Sequence, residues 1–413
     1  MNSTFRLPRP VFFLFIGYAV NFFGSGMTMP FLMIYLHSER HIPLGLAGLV
    51  ISFASLVGVV ATPLVGYAVD RLGSYKVLVL SLLVLSVGTI GYALSINVFV
   101  AFLSSLFVGL GNAAMWNGLS SKLAVLAGKE ERSRYFGISY AVQNLGIGFG
   151  SLISGFLLHS MSPSSFILVF IIDALTYLVF IPLLLPVKSS AAETDSAMNE
   201  GDTGTNQGGF REVLGDKALL GVTALNLLFV IFGYSQLSSA FSVWASGFKG
   251  VGASVIGFAF FVNCMVIVLV QIPVLKFSKR WRRTRLAAIT SAFFALSWLL
   301  TLLAGLKNGV FAGPLLIASL GVFGIGETFL SPSLSPIVND LAPDHLRGRY
   351  NAMINLSWQA GMIVGPVIAG IALGHALVQE LFVVLVVVLL LGVLAAIQLE
   401  KWIPSSANRS FLQ

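Results

Sequence analysis

Gly66-Tyr-Ala-Val-Asp70-Arg71-Leu-Gly73-Ser-Tyr-Lys76 interrupts two apolar runs, 51–65 before it and 77–94 after it. Each run, with its flanks, is long enough to cross a bilayer, which takes about 20 apolar residues. So short a connection between two spans predicts a tight hairpin at the membrane surface. Gly66 and Gly73 suit a backbone that must turn and approach closely. Asp70 and Arg71 cannot lie in lipid, so they mark a water interface or a protein-buried network. Arg71 and Lys76 assign that interface to the cytoplasmic side.

Composition agrees. Of 413 residues, 57% are hydrophobic and 10% charged, and mean hydropathy is +0.92. A soluble domain carries about 25% charged residues. The chain reads as an all-α membrane protein, since barrel strands would show short alternating segments. The net charge of +8 does not indicate nucleic acid, because the basic residues are spread over connections between spans. The single cysteine, Cys264, lies in an apolar run, which excludes an intramolecular disulfide, and no Cys/His group has metal-ligand spacing. Arg6 and Arg9 precede a run too long for a signal peptide and lacking a small-residue cleavage site, so it is expected to stay as the first span.

Twelve spans can be drawn, near 11–36, 44–66, 76–95, 97–121, 135–159, 165–187, 217–242, 252–276, 285–306, 311–338, 350–374 and 378–400. They divide into a half at 1–187, a Ser/Thr/Gly-rich linker at 188–216 that reads as flexible, and a half at 217–413. With the N-terminus inside, 21 of the 24 Lys and Arg fall on the inner side, and only Arg40, Lys249 and Lys307 fall outside. That split predicts both termini in the cytoplasm of a multi-pass plasma-membrane protein. A repeat at an offset of 215 aligns Arg132, Arg134, Tyr135, Gly146, Gly150 and Gly155 with Arg347, Arg349, Tyr350, Gly361, Gly365 and Gly370. Gly109 and Gly111 align likewise with Gly324 and Gly326, so spans 4–5 recur as spans 10–11. Two parallel halves of this kind suit a transporter. In the second half, Lys276-Phe-Ser-Lys-Arg-Trp-Arg-Arg-Thr-Arg285 stands where the first has its polar stretch, and it is expected to anchor the turn to anionic lipid.

The pattern G-x-x-x-D-R-x-G-x-x-K between spans 2 and 3 resembles the loop signature of the major facilitator superfamily of secondary transporters. Twelve spans, an internal repeat and a central linker extend the resemblance over the whole chain. The resemblance implies that Asp70 faces the start of span 11 and helps to close the cytoplasmic side, through helix N-terminal amides and nearby arginines. Taken alone, Asp70-Arg71 reads equally well as a solvated turn pair. The family also implies a cavity lined by spans 1, 4, 7 and 10. Gly361, Gly365, Pro366 and Gly370 resemble the Gly-Pro signature of exporters, although span 5, where that signature is expected, has Ser151 in place of the proline. Many drug–proton antiporters carry an arginine four residues before the first glycine of span 4. Here that position is Ser105, so the usual proton relay is missing.

Every Lys and Arg is expected in a connection, tail or linker, and two acids, Asp173 and Glu327, fall well inside spans. Such residues mark ion or substrate paths. Glu327 precedes Ser331 and Ser335 at helical spacing, and Pro332 and Pro336 disturb the helix there. It is read either as a proton-exchanging group or as a neutral structural donor. Asp173, with Thr176 and Tyr177 at i+3 and i+4, reads more readily as a structural hydrogen-bonding group than as a coupling one. Tyr18, Asn21, Ser25 and Thr28 make one polar stripe on span 1. Span 4 adds Asn112 and Trp116; span 7 adds Asn226, Tyr234 and Gln236; spans 5 and 11 add Tyr140, Gln143, Asn144, Asn355, Trp358 and Gln359. Lining a cavity, they would make it aromatic, amide-rich and nearly uncharged, suited to amphipathic or weakly cationic small molecules. Each can also serve as an interhelical hydrogen-bonding residue.

The expected function is proton-coupled efflux of small amphipathic molecules by alternating access, with the drug–proton antiporter branch as the nearest resemblance. Uptake by symport or uniport is the alternative, and a non-transporting receptor or assembly protein is the reading from another class. No G-x-x-x-x-G-K-[ST] loop supports an ATP-driven pump, and no nucleophile constellation suggests an enzyme. The partners expected are a small-molecule substrate and the bilayer, with no nucleic acid and with the monomer as the functional unit. No cofactor or metal is implied, and the proton gradient is the expected energy source.

Overall fold

Long apolar runs must satisfy their backbone groups internally, and here they do so as helices, with no strand among the described residues. The structure, a computed structural model, describes residues 7–159, 162–188, 210–248, 250–306 and 311–408. Most of the linker expected at 188–216 lies outside them, as do Arg6, Lys249, Lys307 and Arg409. Eleven described segments are long and apolar enough to cross a membrane. The twelfth span lies within the 60-residue helix Val98–Leu157, which holds spans 4 and 5 on either side of Gly128. Gly128 has φ +59°, a conformation that costs a residue with a Cβ far more than it costs glycine.

Span 2 is the helix Leu44–Leu72, which runs past its expected end, so Gly66, Asp70 and Arg71 sit in its last turns and not in a hairpin. The turn itself is reduced to Gly73, at φ +81°, and span 3 starts at once as Ser74–Ala93. The polar residues are exposed because the helix continues beyond the lipid-compatible stretch. A Cβ at Gly66 would meet nothing within 4 Å. Gly66→Ala is therefore expected to stabilise the fold by up to about 1 kcal/mol, from helix propensity alone. Thermal unfolding of the purified variant checks this.

Span 7 runs as Lys217–Phe229 and continues through two wider π turns, Val230–Tyr234 and Leu237–Phe241, into Ser242–Ser246. Span 10 is broken as the prolines predict: Ala312–Leu330 ends, residues 331–333 form a turn, and Leu334–Leu341 resumes. Lys122 corrects the expectation that every cation lies in a connection. It sits within the helix Val98–Leu157, on a stretch that runs past the expected end of span 4, and is only 1% exposed.

By internal contacts the chain forms two units, one comprising Met1–Met29 and Phe53–Thr203, the other Pro30–Ser52 and Gly204–Gln413. Within each, the repeat at offset 215 is matched by packing. Gly146 and Gly150 of span 5 lie against span 1 at Ala19, Phe22 and Phe23, while Gly361 and Gly365 of span 11 lie against span 7 at Val230, Ile231 and Ser235. Gly109 meets span 2 at Ala54, and Gly324 meets span 8 at Asn263. At position 151, where the repeat partner is Pro366, the Ser151 hydroxyl donates to Gly26 O at 2.9 Å and so ties span 5 to span 1.

In the second unit the chain beyond span 12 folds back as Ser405–Asn408. Arg283, 5% exposed, donates to Asp340 Oδ2 at 2.5 Å and to Ala407 O at 2.9 Å. Asn408 Oδ1 accepts from Thr284 N at 3.0 Å. The tail and the resumed half of span 10 are thereby held to the start of span 9.

Candidate functional site

In the first unit, spans 1, 4 and 5 enclose a cavity of about 180 Å³. Tyr18, Trp116, Tyr140 and Gln143, all expected to line a cavity, line it together with Ser120, Ser139 and Phe136. The Tyr18 ring lies tilted against Phe22 at 4.6 Å, and the Phe22 ring lies 5.7 Å from that of Trp116. Among the described residues no lining side chain is charged. Aromatic faces with hydroxyl and amide groups can hold a flat, amphipathic molecule and orient its polar atoms. Phe136, Ser120 and Ser139 lie inside the expected spans 4 and 5 and escaped notice because a serine or phenylalanine in an apolar run carries no signal that separates cavity lining from helix packing.

The rest of the span 1 stripe turns elsewhere. Thr28 Oγ1 donates to Asp173 Oδ2 at 2.8 Å, and Ser25 Oγ lies 3.4 Å from the Tyr177 hydroxyl. Tyr177 is itself a hydrogen-bond partner of Asp173 and of Thr89. Thr176 Oγ1 donates to the backbone oxygen of Asp173 at 2.7 Å. Asn21 is buried, and neither amide atom has a hydrogen-bond partner among the described residues. Asp173 therefore belongs to a group of hydroxyls between spans 1, 3 and 6, in which its buried Oδ1 has no hydrogen-bond partner among the described residues. A stripe spaced 3, 4 and 3 covers an arc wide enough for Tyr18 to reach the cavity while Thr28 faces span 6.

In the second unit Glu327 is 8% exposed and accepts from Asn263 Nδ2 at 2.9 Å. Asn263 also donates to Leu320 O at 3.1 Å, and Tyr234 is a further hydrogen-bond partner of the carboxyl. No Lys, Arg or His forms an ion pair with Glu327 among the described residues. Tyr234 lies 4.9 Å from Trp358 and edge-on to Phe294 and Phe323 at 5.6 and 5.7 Å. The π turn Val230–Tyr234 ends at this tyrosine, and such turns re-aim side chains at functional sites. Asn263 was missed, although an amide inside the apolar run of span 8 is the signal that could have found it. Ser331 and Ser335, expected to continue the polar face of Glu327, are exposed, because the helix breaks between them.

The remaining candidates divide by burial. Asn226 donates to Ser357 Oγ at 2.8 Å, and Gln236, fully buried, donates to Ile231 O at 2.7 Å and to Gly365 O at 3.2 Å. Both pin span 7 to span 11. Asn144 donates to Tyr140 O at 2.9 Å within its own helix. Asn112 and Gln359 are half-buried, while Asn355 is exposed and Trp358 is 36% exposed. Ser105, at the place of the family's arginine, is fully buried with its Oγ 2.7 Å from the Tyr92 hydroxyl of span 3. Asp70 and Lys76 are exposed, and Arg71 lies over the Tyr67 ring at 4.7 Å.

The family model described as Major Facilitator Superfamily matches residues 14–323 and 249–410. A transporter of Bacillus subtilis named as uncharacterised and MFS-type, YqjV, is 26% identical over 359 residues, covering 86% of this chain and 84% of its own. The quinolone resistance protein NorA of Staphylococcus aureus is 22% identical, covering 88% and 89%. A Na(+), Li(+), K(+)/H(+) antiporter of Planococcus maritimus is also 22% identical, covering 83% and 84%. Among solved structures, a POT family transporter in complex with a thioalcohol-conjugated peptide superposes with a TM-score of 0.78 at 17% identity, covering 98% of each chain. At that identity the likeness is one of fold. With helices throughout, repeated packing in both units and a family match spanning nearly the whole sequence, this chain belongs to the Major Facilitator Superfamily and is a multi-pass membrane transporter of small molecules.

Proposed function

We propose that the protein exports small amphipathic molecules from the cytoplasm in exchange for protons. The observation that carries this reading is Glu327, a carboxyl held inside the second unit by an amide and a phenol, with no cationic side chain paired to it among the described residues. A bare carboxylate in such a place costs several kcal/mol. Two events relieve that cost: uptake of a proton, or approach of a cationic ligand. Because each makes the other unnecessary, proton and substrate compete, which is the elementary requirement of antiport. The uncharged aromatic cavity of the first unit supports an amphipathic substrate, as does the likeness to a quinolone resistance protein. Asp173 we assign a structural role, since Thr28 of span 1 donates to its Oδ2 and Tyr177 lies beside it, which ties span 6 to span 1. The excess of Lys and Arg in alternate connections supports cytoplasmic termini and a plasma-membrane location.

The test is an everted-vesicle assay. A proton gradient is imposed, amphipathic drugs, sugars and peptides are added in turn, and collapse of the gradient is followed. Collapse by some amphipathic compounds and by no sugar or peptide is the expected result. Collapse by none of them would remove the proposal. For a compound that works, Trp116→Ala is expected to raise the half-saturating concentration about tenfold, the order of one lost aromatic contact of 1–1.5 kcal/mol. An unchanged value would remove the cavity of spans 1, 4 and 5 from the substrate path.

A further inference from the structure

The turn that ends span 8 has a use that transport does not claim. Span 8 is the helix Ala253–Ser278, and Leu269 and Ile272 are 71% and 63% exposed on it. Lys276 and Lys279 continue the same face, at steps of four and three residues, and Arg280 follows; all three are exposed. Between them Phe277 and Trp281 are exposed and pack as a pair, with ring centroids 5.5 Å apart. Arg280 N donates to Phe277 O at 3.2 Å and Trp281 N to Ser278 O at 3.0 Å, so the turn is fixed.

The stretch from Lys276 to Arg285 holds six cations and no acid. Arg282 and Arg285 pair with Glu400, and Arg283 pairs with Asp340. Lys276, Lys279 and Arg280 have no acidic partner among the described residues. Three unpaired cations so close together repel one another and favour a bound anion. They stand where an exposed apolar helix face ends, beside an aromatic pair of the kind that sits at headgroup level. We propose that this turn is a binding site for one anionic phospholipid: its phosphate and acidic headgroup on Lys276, Lys279 and Arg280, its glycerol region against Phe277 and Trp281, and an acyl chain along Ile272 and Leu269. The apolar face selects a lipid over a free anion, and the cations select an acidic lipid over a zwitterionic one.

Mass spectrometry of the full-length protein released from detergent micelles tests this, with phosphatidylglycerol and phosphatidylethanolamine titrated separately. Wild type is expected to hold one phosphatidylglycerol more tightly than phosphatidylethanolamine. Each of Lys276→Gln, Lys279→Gln and Arg280→Gln is expected to weaken that binding roughly fivefold, and the triple variant about a hundredfold. Arg282→Gln removes the same charge from a residue already paired and is expected to leave binding unchanged. Equal affinity for the two lipids in wild type would overturn the proposal. So would an equal loss in Arg282→Gln, which would show a general charge effect. Displacement of the lipid by millimolar inorganic phosphate would do so too, by reassigning the turn to a soluble anion. Should the triple variant fail to elute as a folded monodisperse protein, the three single variants carry the test.

Discussion

Glu327→Gln is expected to abolish proton-driven transport while leaving substrate binding and downhill exchange in place. Glutamine has the shape of a protonated glutamic acid, so its carbonyl can still accept from Asn263, and its amide can turn towards Tyr234. What it cannot do is carry a charge, and the competition between proton and substrate disappears with it. In everted vesicles the gradient should no longer collapse when a substrate is added. Exchange of labelled for unlabelled substrate across the same membrane should continue at a rate within a few-fold of wild type. If the gradient still collapses in Glu327→Gln, the coupling group lies elsewhere. Asp173→Asn is the matched control: it changes the other intramembrane acid, and gradient collapse should survive it. Its expected cost is in stability, about 1–3 kcal/mol for a disturbed buried hydrogen-bond group, measurable by thermal unfolding.

Both intramembrane acids were legible in the sequence because a charge in a long apolar run stands out. The neighbours of Asp173 at i+3 and i+4, Thr176 and Tyr177, were legible with it, but the distant partners of both acids were not. Asn263 lies 64 residues before Glu327 and Thr28 lies 145 before Asp173, and no local spacing connects residues so far apart. The span 1 stripe shows the same limit. Periodicity places Tyr18, Asn21, Ser25 and Thr28 on one side of a helix, but it cannot say that this side is divided between a cavity and span 6. The loop from Gly66 to Lys76 was visible as a boundary, yet hydropathy reports where lipid ends and not where the helix ends, so span 2 ran on to Leu72. Lys122 was misplaced for the same reason, since a helix longer than the bilayer can bury a cation in protein. The repeat, by contrast, was readable at Gly109, Gly111, Gly146 and Gly150 and at their partners Gly324, Gly326, Gly361 and Gly365. A small residue at a helix contact is a property of the position itself, and both copies use it against equivalent spans.

Those glycines give the second large effect. A Cβ at Gly150 would overlap the carbonyl oxygen of Phe23 and press on Met27 N, both backbone atoms of span 1 that cannot rotate away. Gly137, on the same helix, has nothing within 4 Å of the corresponding point. Helix propensity favours alanine over glycine by about 1 kcal/mol at either position, so a difference between the two variants must come from the contact. Gly137→Ala is expected to unfold at or above the wild-type temperature. Gly150→Ala is expected to lose about 1–3 kcal/mol, the usual cost of forcing an extra methyl into a packed contact, and Gly150→Leu to yield little folded protein. Spans 1 and 5 would have to separate, which would also stretch the bond from Ser151 to Gly26 O and widen the cavity that Tyr18 and Tyr140 share. Gly150→Ala should therefore lose apparent substrate affinity together with stability, whereas Gly137→Ala should lose neither. If Gly150→Ala matches Gly137→Ala in thermal unfolding, the packing of spans 1 and 5 does not depend on backbone approach at Gly150.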